Sequence, residues 1–504
     1  APEEVESTTS ATYVPDQQHE SDQNDEKFNW KRNWYPVLPL SYAEGLNLDE
    51  SPLAITILDE DLVLWKSKSA SSSKDNGETS IPYSILHDTC PHRRAKLSTG
   101  KIYNETLACR YHGWEFDKEG TIQKLPMMDS ENKEEVFSKA FCVKSYPLAM
   151  EGGLLWVYMD PEDASIPELT RGIYEVGEDA NKAAWSVRNN PISWQSMIEN
   201  AFDPSHAPFI HEGASFGTTF SPETSIPMTK YQISEKGELS KDGFALEHTS
   251  YQLEPNDPNN KDVTTRRLIA PITFLSESKK FNSTLHFVPV RDGETRVIGQ
   301  FRTATSFPQL PKIIPMKMKQ ILLDSLHFFM FTFSNSAIQF SKQDQDIMQA
   351  QDWRKTKSKR WEDMYPTKSD FGVRTMQQWT RKFGRPPFIM PDTAQNRERR
   401  EMSMWDIHCK YCPECLRTIK RISKVSRMAT FISNASFAIS SMTLLSSIVI
   451  PKLVLSSNLT KIVTTLFLSA SFRHIVHICN RLLEKVFITQ ENVVKYKMLD
   501  VYAK

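Results

Sequence analysis

The sequence predicts an α+β fold in three parts: a small all-β module, a larger α+β domain and a C-terminal pair of apolar helices. Across residues 28–183, short apolar and β-branched runs such as Ala54–Trp65 alternate with turn residues, which is the pattern of strands. Across residues 184–405, strand-like stretches such as Ser283–Val290 are mixed with helical patterns. From Met428 to Pro451 no residue is charged, and this segment is long enough to cross a bilayer as a helix.

Individual elements can be placed more closely by their periodicity. Ala54–Trp65 predicts two strands with a charged turn at Asp59–Asp61, and Thr264–Phe274 and Thr295–Thr303 predict further antiparallel strands. Ser196–Phe202 is typical of a helix that stops before Pro204, and Lys317–Gln351 has a long apolar helical pattern. The predicted divisions are a disordered acidic tail (1–27), the all-β module (28–183), the α+β domain (184–405), a Cys-rich element with a basic linker (406–427) and the anchor helices with a tail (428–504).

Charge and cysteine usage narrow the class of protein. Sixty-one Lys and Arg residues nearly balance 62 Asp and Glu residues, so nothing indicates a nucleic-acid partner. The cysteine count is seven, which is odd, and five of them lie in two tight clusters. This usage indicates metal and redox chemistry in a reducing compartment instead of a disulfide framework.

The first cluster follows the pattern C-x-H, sixteen residues, C-x2-H, and its candidate ligands are Cys90, His92, Cys109 and His112. Two thiolates suit one iron of a [2Fe–2S] cluster and two imidazoles suit the other, which is the Rieske type. A Cys2His2 zinc site would use the same ligand types, but C-x-H is poor spacing for zinc. Cys142, outside both pairs, is expected to be a small buried hydrophobe.

A second metal pattern begins about ninety residues later, at Glu199–His211. Non-haem Fe(II) that activates O2 is held by two imidazoles and one carboxylate on one face, and His206 and His211 can supply the imidazoles. The third ligand must come from elsewhere in the chain. The later helical pattern offers Asp344, which we favour, and Asp346.

Together these motifs resemble the Rieske non-haem iron oxygenases. The resemblance implies a Rieske [2Fe–2S] domain followed by a helix-grip α+β catalytic domain, with ferredoxin as electron donor and O2 as co-substrate. It also implies that Asp203 binds no metal and instead bridges His206 to His92 or His112 of a neighbouring subunit in a homotrimer. Asn200, in the same motif, is a second catalytic candidate, whereas Asp203 read by itself is a helix-terminating residue before Pro204.

The C-terminal cysteines narrow the resemblance to the plastid branch, which includes pheophorbide a oxygenase, the translocon-associated phyllobilin hydroxylase and the protochlorophyllide and chlorophyllide a oxygenases. Cys412 and Cys415 resemble its C-x2-C element, which implies a redox-regulatory disulfide and thioredoxin as a partner. This chain adds Cys409 and His408, so a zinc site of Cys409, Cys412, Cys415 and His408 is the alternative.

Basic residues flank the two apolar C-terminal stretches, as expected for a membrane hairpin with both ends on the stromal side. A buried helical pair in a soluble domain is the alternative. The expected function is oxygenation of a chlorophyll-type tetrapyrrole, by ring opening or peripheral hydroxylation, at a plastid membrane (thylakoid or inner envelope). The alternatives are a Rieske oxygenase of another hydrophobic substrate and a translocon-associated redox sensor.

Overall fold

The computed structural model describes residues 27–67, 81–128, 142–169, 185–212, 220–235, 237–253, 262–279, 281–303, 314–332, 343–345, 347–352, 354, 364–384, 386, 402–449 and 455–487. Three sequence predictions concern residues outside these ranges. They are the disorder of the acidic tail before Lys27, the ligand role of Asp346 and the tail after Phe487.

In the described residues of the N-terminal module, ten strands form three antiparallel sheets, in the orders β1-β10-β9, β2-β3-β4 and β5-β6-β7-β8. The strands are β1 (Trp34–Pro39), β2 (Leu53–Ile57), β3 (Glu60–Lys66), β4 (Tyr83–His87), β5 (Lys101–Tyr103), β6 (Thr106–Ala108), β7 (Glu115–Phe116), β8 (Ile122–Lys124), β9 (Leu148–Glu151) and β10 (Leu154–Tyr158), with a short helix α1 (Leu40–Gly45) after β1. The all-β prediction for this part of the chain is confirmed.

The second domain is built on one antiparallel sheet of seven strands, ordered β11-β17-β16-β15-β14-β13-β12. These strands are β11 (Ser186–Asn190), β12 (Tyr231–Ile233), β13 (Gly243–His248), β14 (Thr264–Ile269), β15 (Thr273–Glu277), β16 (Phe281–Arg291) and β17 (Glu294–Thr303). Its helices are α2 (Trp194–Ala201), α3 (Ala207–Ile210), α4 (Met316–Thr332) and α5 (Phe371–Phe383), together with helical residues 343–345 and 347–352. A π-helical turn, Trp405–Cys409, leads into α6 (Pro413–Val449), which α7 (Leu455–Phe487) follows.

Several boundaries differ from the sequence predictions for local reasons. The first hairpin turns at Leu58 and Asp59, both at positive φ, so Glu60 and Asp61 belong to β3 instead of the turn. The stretch Thr264–Phe274 is two strands, because Pro271 has no N–H to donate to a ladder and lies in the connection between them. The α2 helix begins at Trp194, two residues before the predicted start, since the Ser193 side chain accepts from the Ser196 amide as its N-cap.

One hydrophobic core runs through both domains, from Trp30 and Tyr35 to Trp194 and Trp379. The tip of the β2–β3 hairpin also bonds the large sheet, where Leu58 N–H donates to the Pro289 carbonyl at 2.9 Å. A second, smaller core lies beneath Cys90 and Cys109. The small core therefore supports the loops of the first metal pattern, while the large core fixes the two domains together.

The α6 and α7 helices form an antiparallel hairpin. Its polar side chains lie at the contact between the helices and its large apolar side chains lie outside, the reverse of a helical pair in a soluble protein. Between them, Ser433 Oγ donates to the Ser469 carbonyl at 3.0 Å and Ser469 Oγ donates to the Ser433 carbonyl at 3.1 Å. Large apolar side chains such as Phe431, Met442 and Phe467 are more than two-thirds exposed instead. Small residues at the contact and apolar residues outside are typical of helices packed in lipid.

The outer ends of the hairpin belong to the large core. Ile419 near the start of α6 and Leu483 and Val486 near the end of α7 are buried in it, and Trp405 packs on Phe487 with ring centroids 5.1 Å apart. The Cys-rich element, predicted as a separate linker region, is likewise buried in this core. The apolar hairpin is thus anchored rigidly to the catalytic domain at both ends.

Candidate metal centres

The two loops that carry the first ligand set repeat one backbone conformation. In each, the amide of the cysteine donates to the carbonyl five residues later, Ala95 or Trp114, and the cysteine carbonyl accepts from the amide four residues later. That fourth residue has positive φ in both loops, as Arg94 and Gly113. The loops therefore present Cys90 and Cys109 as a matched pair.

The four candidate cluster ligands differ in how deeply they are buried. Cys90 and Cys109 are buried and their thiols are adjacent, whereas the rings of His92 and His112 lie nearer the surface with centroids 4.5 Å apart. Trp114 stacks on His92 at 4.6 Å. An inner pair of sulfurs and an outer pair of imidazoles is the donor arrangement of a Rieske cluster, and it leaves the imidazole edge accessible to an electron-transfer partner.

The chemistry of the thiol pair fits a bound cluster. Burial and the neighbouring Cys109 raise the pKa of Cys90 to about 11, although the amides of His92 and Arg93 donate to its sulfur. Two adjacent buried thiolates are unfavourable unless a cation lies between them. Hydrogen bonds from backbone amides to sulfur are also one of the means by which a protein sets the reduction potential of such a cluster.

The three side chains of the second ligand set lie close together, although they come from distant parts of the chain. His206 belongs to the 3-10 turn Pro204–His206, His211 follows α3, and Asp344 comes from a helical segment more than a hundred residues later. Asp344 Oδ1 lies 3.6 Å from His206 Nε2 and 3.3 Å from His211 Nε2. One ligand atom from each residue lies within 4.8 Å of the others. This is the arrangement of two imidazoles and one carboxylate that holds mononuclear iron.

The surroundings of the triad also fit an iron ion. Asp344 is buried, and its Oδ1 has no hydrogen-bond partner among the described residues, a costly position for a carboxylate oxygen that no cation contacts. The His211 Nδ1 lies 3.2 Å from Gln343 Oε1, so Nδ1 carries the proton and Nε2 presents its lone pair. Burial lowers the pKa of His206, which favours the neutral imidazole that binds metal.

A buried carboxylate, Asp352, positions Asp344 relative to the histidines. Asp352 accepts hydrogen bonds from the Ser193 amide at 2.6 Å, from Ser193 Oγ at 2.8 Å and from Ser196 Oγ. Ser193 is the N-cap of α2, the helix that leads into the histidine segment. Asp352 lies eight residues after Asp344, at the end of helical residues 347–352. These hydrogen bonds therefore attach the chain that follows Asp344 to the start of the helix that leads to the two histidines.

The opposite end of α2 is held just as firmly. Tyr231 donates to the Phe202 carbonyl at 2.7 Å, and Arg266 donates to the Ala201 carbonyl. These bonds satisfy carbonyls that the last turn of a helix leaves open. A side chain at Gly372 would overlap both the Tyr231 hydroxyl and the Phe202 carbonyl, so glycine is required there for close packing.

Asp203 begins the histidine turn and lies outside the triad. Its Oδ1 accepts from the Ser205 amide at 3.1 Å and from Ser205 Oγ at 2.6 Å, while Oδ2 lies 3.9 Å from His206 Nδ1. The side chain is about one-third exposed, at 34%. Asn200 is half-buried in α2, and its carbonyl accepts from the Asp203 amide. The bridging role of Asp203 and the catalytic role of Asn200 stay predictions.

Other residues in these centres were missed by sequence reasoning. Gln343 and Asp352 carried no motif, although Gln343 lies in the same helical pattern as Asp344 and Asp352 directly follows that pattern. Cys412 and Cys415 are free thiols that are fully buried beside His408 and beside His327, which was not predicted to be near them. Their proposed disulfide stays a prediction.

The triad geometry predicts the effect of removing its carboxylate. Asp344→Ala should lose most of the mononuclear iron while the Rieske absorption spectrum stays unchanged, because Asp344 contacts only the second centre. Iron analysis beside the visible spectrum measures both centres. Asp346→Ala is the matched control and should keep both. Iron lost from Asp346→Ala but kept in Asp344→Ala would move the ligand role to Asp346.

The network around Asp352 predicts a second, indirect effect. Asp352→Ala should destabilise the fold by about 1–3 kcal/mol, because the buried Ser193 amide loses its acceptor. It should also weaken iron retention in a dialysis assay, since Asp344 is then less well positioned. Asp370→Ala, which removes a carboxylate from a surface turn, serves as control. Full iron retention in Asp352→Ala would show that the triad is positioned by other contacts.

Comparison with known proteins agrees with these centres. Residues 33–147 match the Rieske [2Fe-2S] domain. Flavonoid 8-hydroxylase 2, chloroplastic, of Ocimum basilicum is 26% identical over 72% of this chain and 67% of its own length. The protochlorophyllide-dependent translocon component 52, chloroplastic, of Arabidopsis thaliana is 25% identical over 77% of this chain and 73% of its own. Pheophorbide a oxygenase, chloroplastic, of Oryza sativa subsp. japonica is 35% identical over 42% of this chain.

The chain spans only 36% of the length of that pheophorbide a oxygenase, so the match there concerns part of each protein. All three relatives carry chloroplastic names, and two of them are named for an oxygenation reaction. The Rieske domain accounts for the [2Fe–2S] cluster, and the triad of the second domain has the donor set that would hold a mononuclear non-haem iron. On these findings the N-terminal module is a Rieske [2Fe–2S] domain, and the chain is similar to the plastid Rieske oxygenases.

Proposed function

We propose that this protein oxygenates a chlorophyll-type tetrapyrrole at a plastid membrane, using O2 and electrons from ferredoxin. The observation that carries the proposal is the convergence of His206, His211 and Asp344 in a chain that also has a Rieske domain. A simple electron carrier or redox sensor has no use for such a triad. When bound, the cluster supplies single electrons and the iron activates O2.

The protein's own residues have separate parts in this reaction. The exposed edge of His92 offers an electron donor or a neighbouring subunit a place to approach. Asp203, whose Oδ2 faces His206 Nδ1 while the side chain stays partly exposed, is suited to join His206 to the cluster histidines of a neighbouring subunit. We therefore propose a homotrimer in which each Asp203 connects two subunits.

The relatives support the choice of substrate. Pheophorbide a oxygenase and the protochlorophyllide-dependent component are named for tetrapyrroles, and the apolar hairpin suits an enzyme that meets a lipid-soluble substrate. A second candidate is hydroxylation of a flavonoid, because the flavonoid 8-hydroxylase matches over 72% of this chain. Both candidates use the same two centres and differ only in the organic substrate.

A single-turnover assay tests the activity and the role of Asp203 together. The full chain, reduced anaerobically with ferredoxin and then exposed to O2, should convert at least one of pheophorbide a, chlorophyllide a, protochlorophyllide or a phyllobilin, with products identified by mass spectrometry. Asp203→Asn should keep both metal centres yet lose most of this conversion, because the link between centres fails. Lys118→Gln, a change of an exposed charge in the first domain, is the control.

Two results would contradict the proposal. Conversion of a flavonoid with no conversion of any tetrapyrrole would assign the second candidate. A wild-type rate in Asp203→Asn would remove the bridging role while leaving the activity itself in place.

We further propose that the α6–α7 hairpin spans the membrane with the catalytic domain on the stromal side. Both helices are long and apolar enough to span: an 18-residue segment of each has a mean hydropathy of 1.3 (α6) or 1.4 (α7), and only 22% and 11% of these segments are buried. Core helices of a soluble protein would be mostly buried.

The membrane proposal predicts the behaviour of the protein in an alkaline carbonate wash. The full chain should stay with the membranes, because spanning helices satisfy their backbone groups internally and resist extraction. Immunoblotting of pellet and supernatant measures the partition, and a known peripheral membrane protein serves as control. Release of the full chain into the supernatant would contradict a spanning hairpin.

A further inference from the structure

A third group of side chains that could bind a metal lies apart from the two iron centres. It consists of His327 from α4, His408 from the π-helical turn, Cys412, and Cys415 from the first turn of α6, and one ligand atom of each lies within 4.8 Å of the others. His327 Nε2 is 3.2 Å from His408 Nε2 and 3.2 Å from Cys412 Sγ. His408, Cys412 and Cys415 are almost completely buried, and His327 is half-buried.

The separation of the two imidazole nitrogens is close to an edge of a tetrahedral zinc site. Zinc bonds imidazole nitrogen at about 2.0–2.1 Å and thiolate sulfur at about 2.3 Å, which places two nitrogens about 3.3–3.4 Å apart in a tetrahedron. The separation of 3.2 Å between the two Nε2 atoms is close to this value. Four ligands and no open position are the features of a structural zinc site.

The orientation of His408 gives independent support. Its Nδ1 lies 2.7 Å from the Val187 carbonyl, which can only accept a hydrogen bond, so Nδ1 carries the proton. In a neutral ring, Nε2 then presents a lone pair to the other three side chains. A ligand histidine whose second nitrogen donates to a backbone carbonyl is the usual outer support of a metal site.

The elements that carry the four side chains are clamped together. Asp324, one turn before His327, is fully buried and bonds Arg417 at 2.8 Å and Arg421 at 2.8 Å on α6. Its Oδ1 also accepts from Gln320 at 2.8 Å. Because this ion pair joins α4 to α6 beside the cluster, the ligands are held in register before any ion binds.

We propose that His327, His408, Cys412 and Cys415 bind one zinc ion in a closed structural site. The ion would join α4 and the start of α6 to β11, and so fix the apolar hairpin to the catalytic domain. Cys409 is outside the ligand set: its buried thiol contacts Cys415, but it is not one of the four residues whose ligand atoms all lie within 4.8 Å of one another. The ligand set therefore differs from the one that sequence alone suggested, with His327 in place of Cys409.

A zinc site and a Cys412–Cys415 disulfide exclude each other, because the disulfide removes two ligands. Both thiols are fully buried, so a redox partner would have to open the core to reach them. This accessibility favours the metal.

Metal analysis of the full chain, purified anaerobically in detergent, tests the proposal. We expect about one zinc per chain beside the iron, and zinc loss with a lowered Tm in His327→Ala and Cys412→Ser. Cys409→Ser is the matched control and should retain zinc. In each variant the Rieske absorption spectrum reports that the first domain remains folded.

A spectroscopic experiment on the wild-type chain tests the same site without requiring any variant to fold. Wild-type chain loaded with Co2+ in place of zinc should show intense visible bands of tetrahedral thiolate-bound cobalt, and a zinc chelator should lower its Tm. Absence of zinc from the wild-type chain overturns the proposal, and a Cys412–Cys415 disulfide in its mapped peptides would identify what forms instead. Equal zinc loss from Cys409→Ser and Cys412→Ser would overturn the assigned ligand set.

Discussion

The catalytic centre depends on one buried carboxylate that binds no metal. Asp352 accepts three hydrogen bonds from Ser193 and Ser196 and thereby joins the segment of Asp344 to the cap of α2. The two histidines lie in a turn just beyond the other end of α2, whose final carbonyls are held by Tyr231 and Arg266. Each end of this eight-residue helix is therefore fixed, which holds the three candidate iron ligands, His206, His211 and Asp344, close together.

The strand β11 connects this centre to the rest of the molecule. The side chain of Arg188 donates to Gln345, the neighbour of Asp344, while the carbonyl of Val187 accepts from His408. Arg188 and Val187 are adjacent in the chain, so a displacement of the Cys-rich element would also displace the strand residue that contacts Gln345, the neighbour of Asp344. The nearby Tyr411 hydroxyl bonds Asn189 at 3.1 Å and Arg296 at 3.2 Å, which anchors the same element to the edge of the sheet.

Residues that carry chemistry within a short motif could be predicted from the sequence. The C-x-H and C-x2-H pairs and the His206–His211 segment are local patterns, and the need for a third ligand pointed to Asp344 in the later helical pattern. His327 could not be found in this way, because it lies 81 residues from His408 in an aromatic run that suggests core packing. Asp352 was missed for the same reason: its partners are side chains of another helix, which no local spacing reveals. The predictions of element boundaries were wrong where a single turn residue sets the boundary, as at Leu58 and Pro271.

The length of α6 has a consequence for how the enzyme would meet its substrate. Its 37 residues extend about 55 Å, and a bilayer core takes up only about 30 Å of that. The remainder continues without a break into the buried start of the helix, so no flexible tether separates lipid from protein. In a bilayer the catalytic domain would therefore stand at a fixed height and tilt, and a substrate diffusing in the plane of the membrane would always meet the same face of the enzyme.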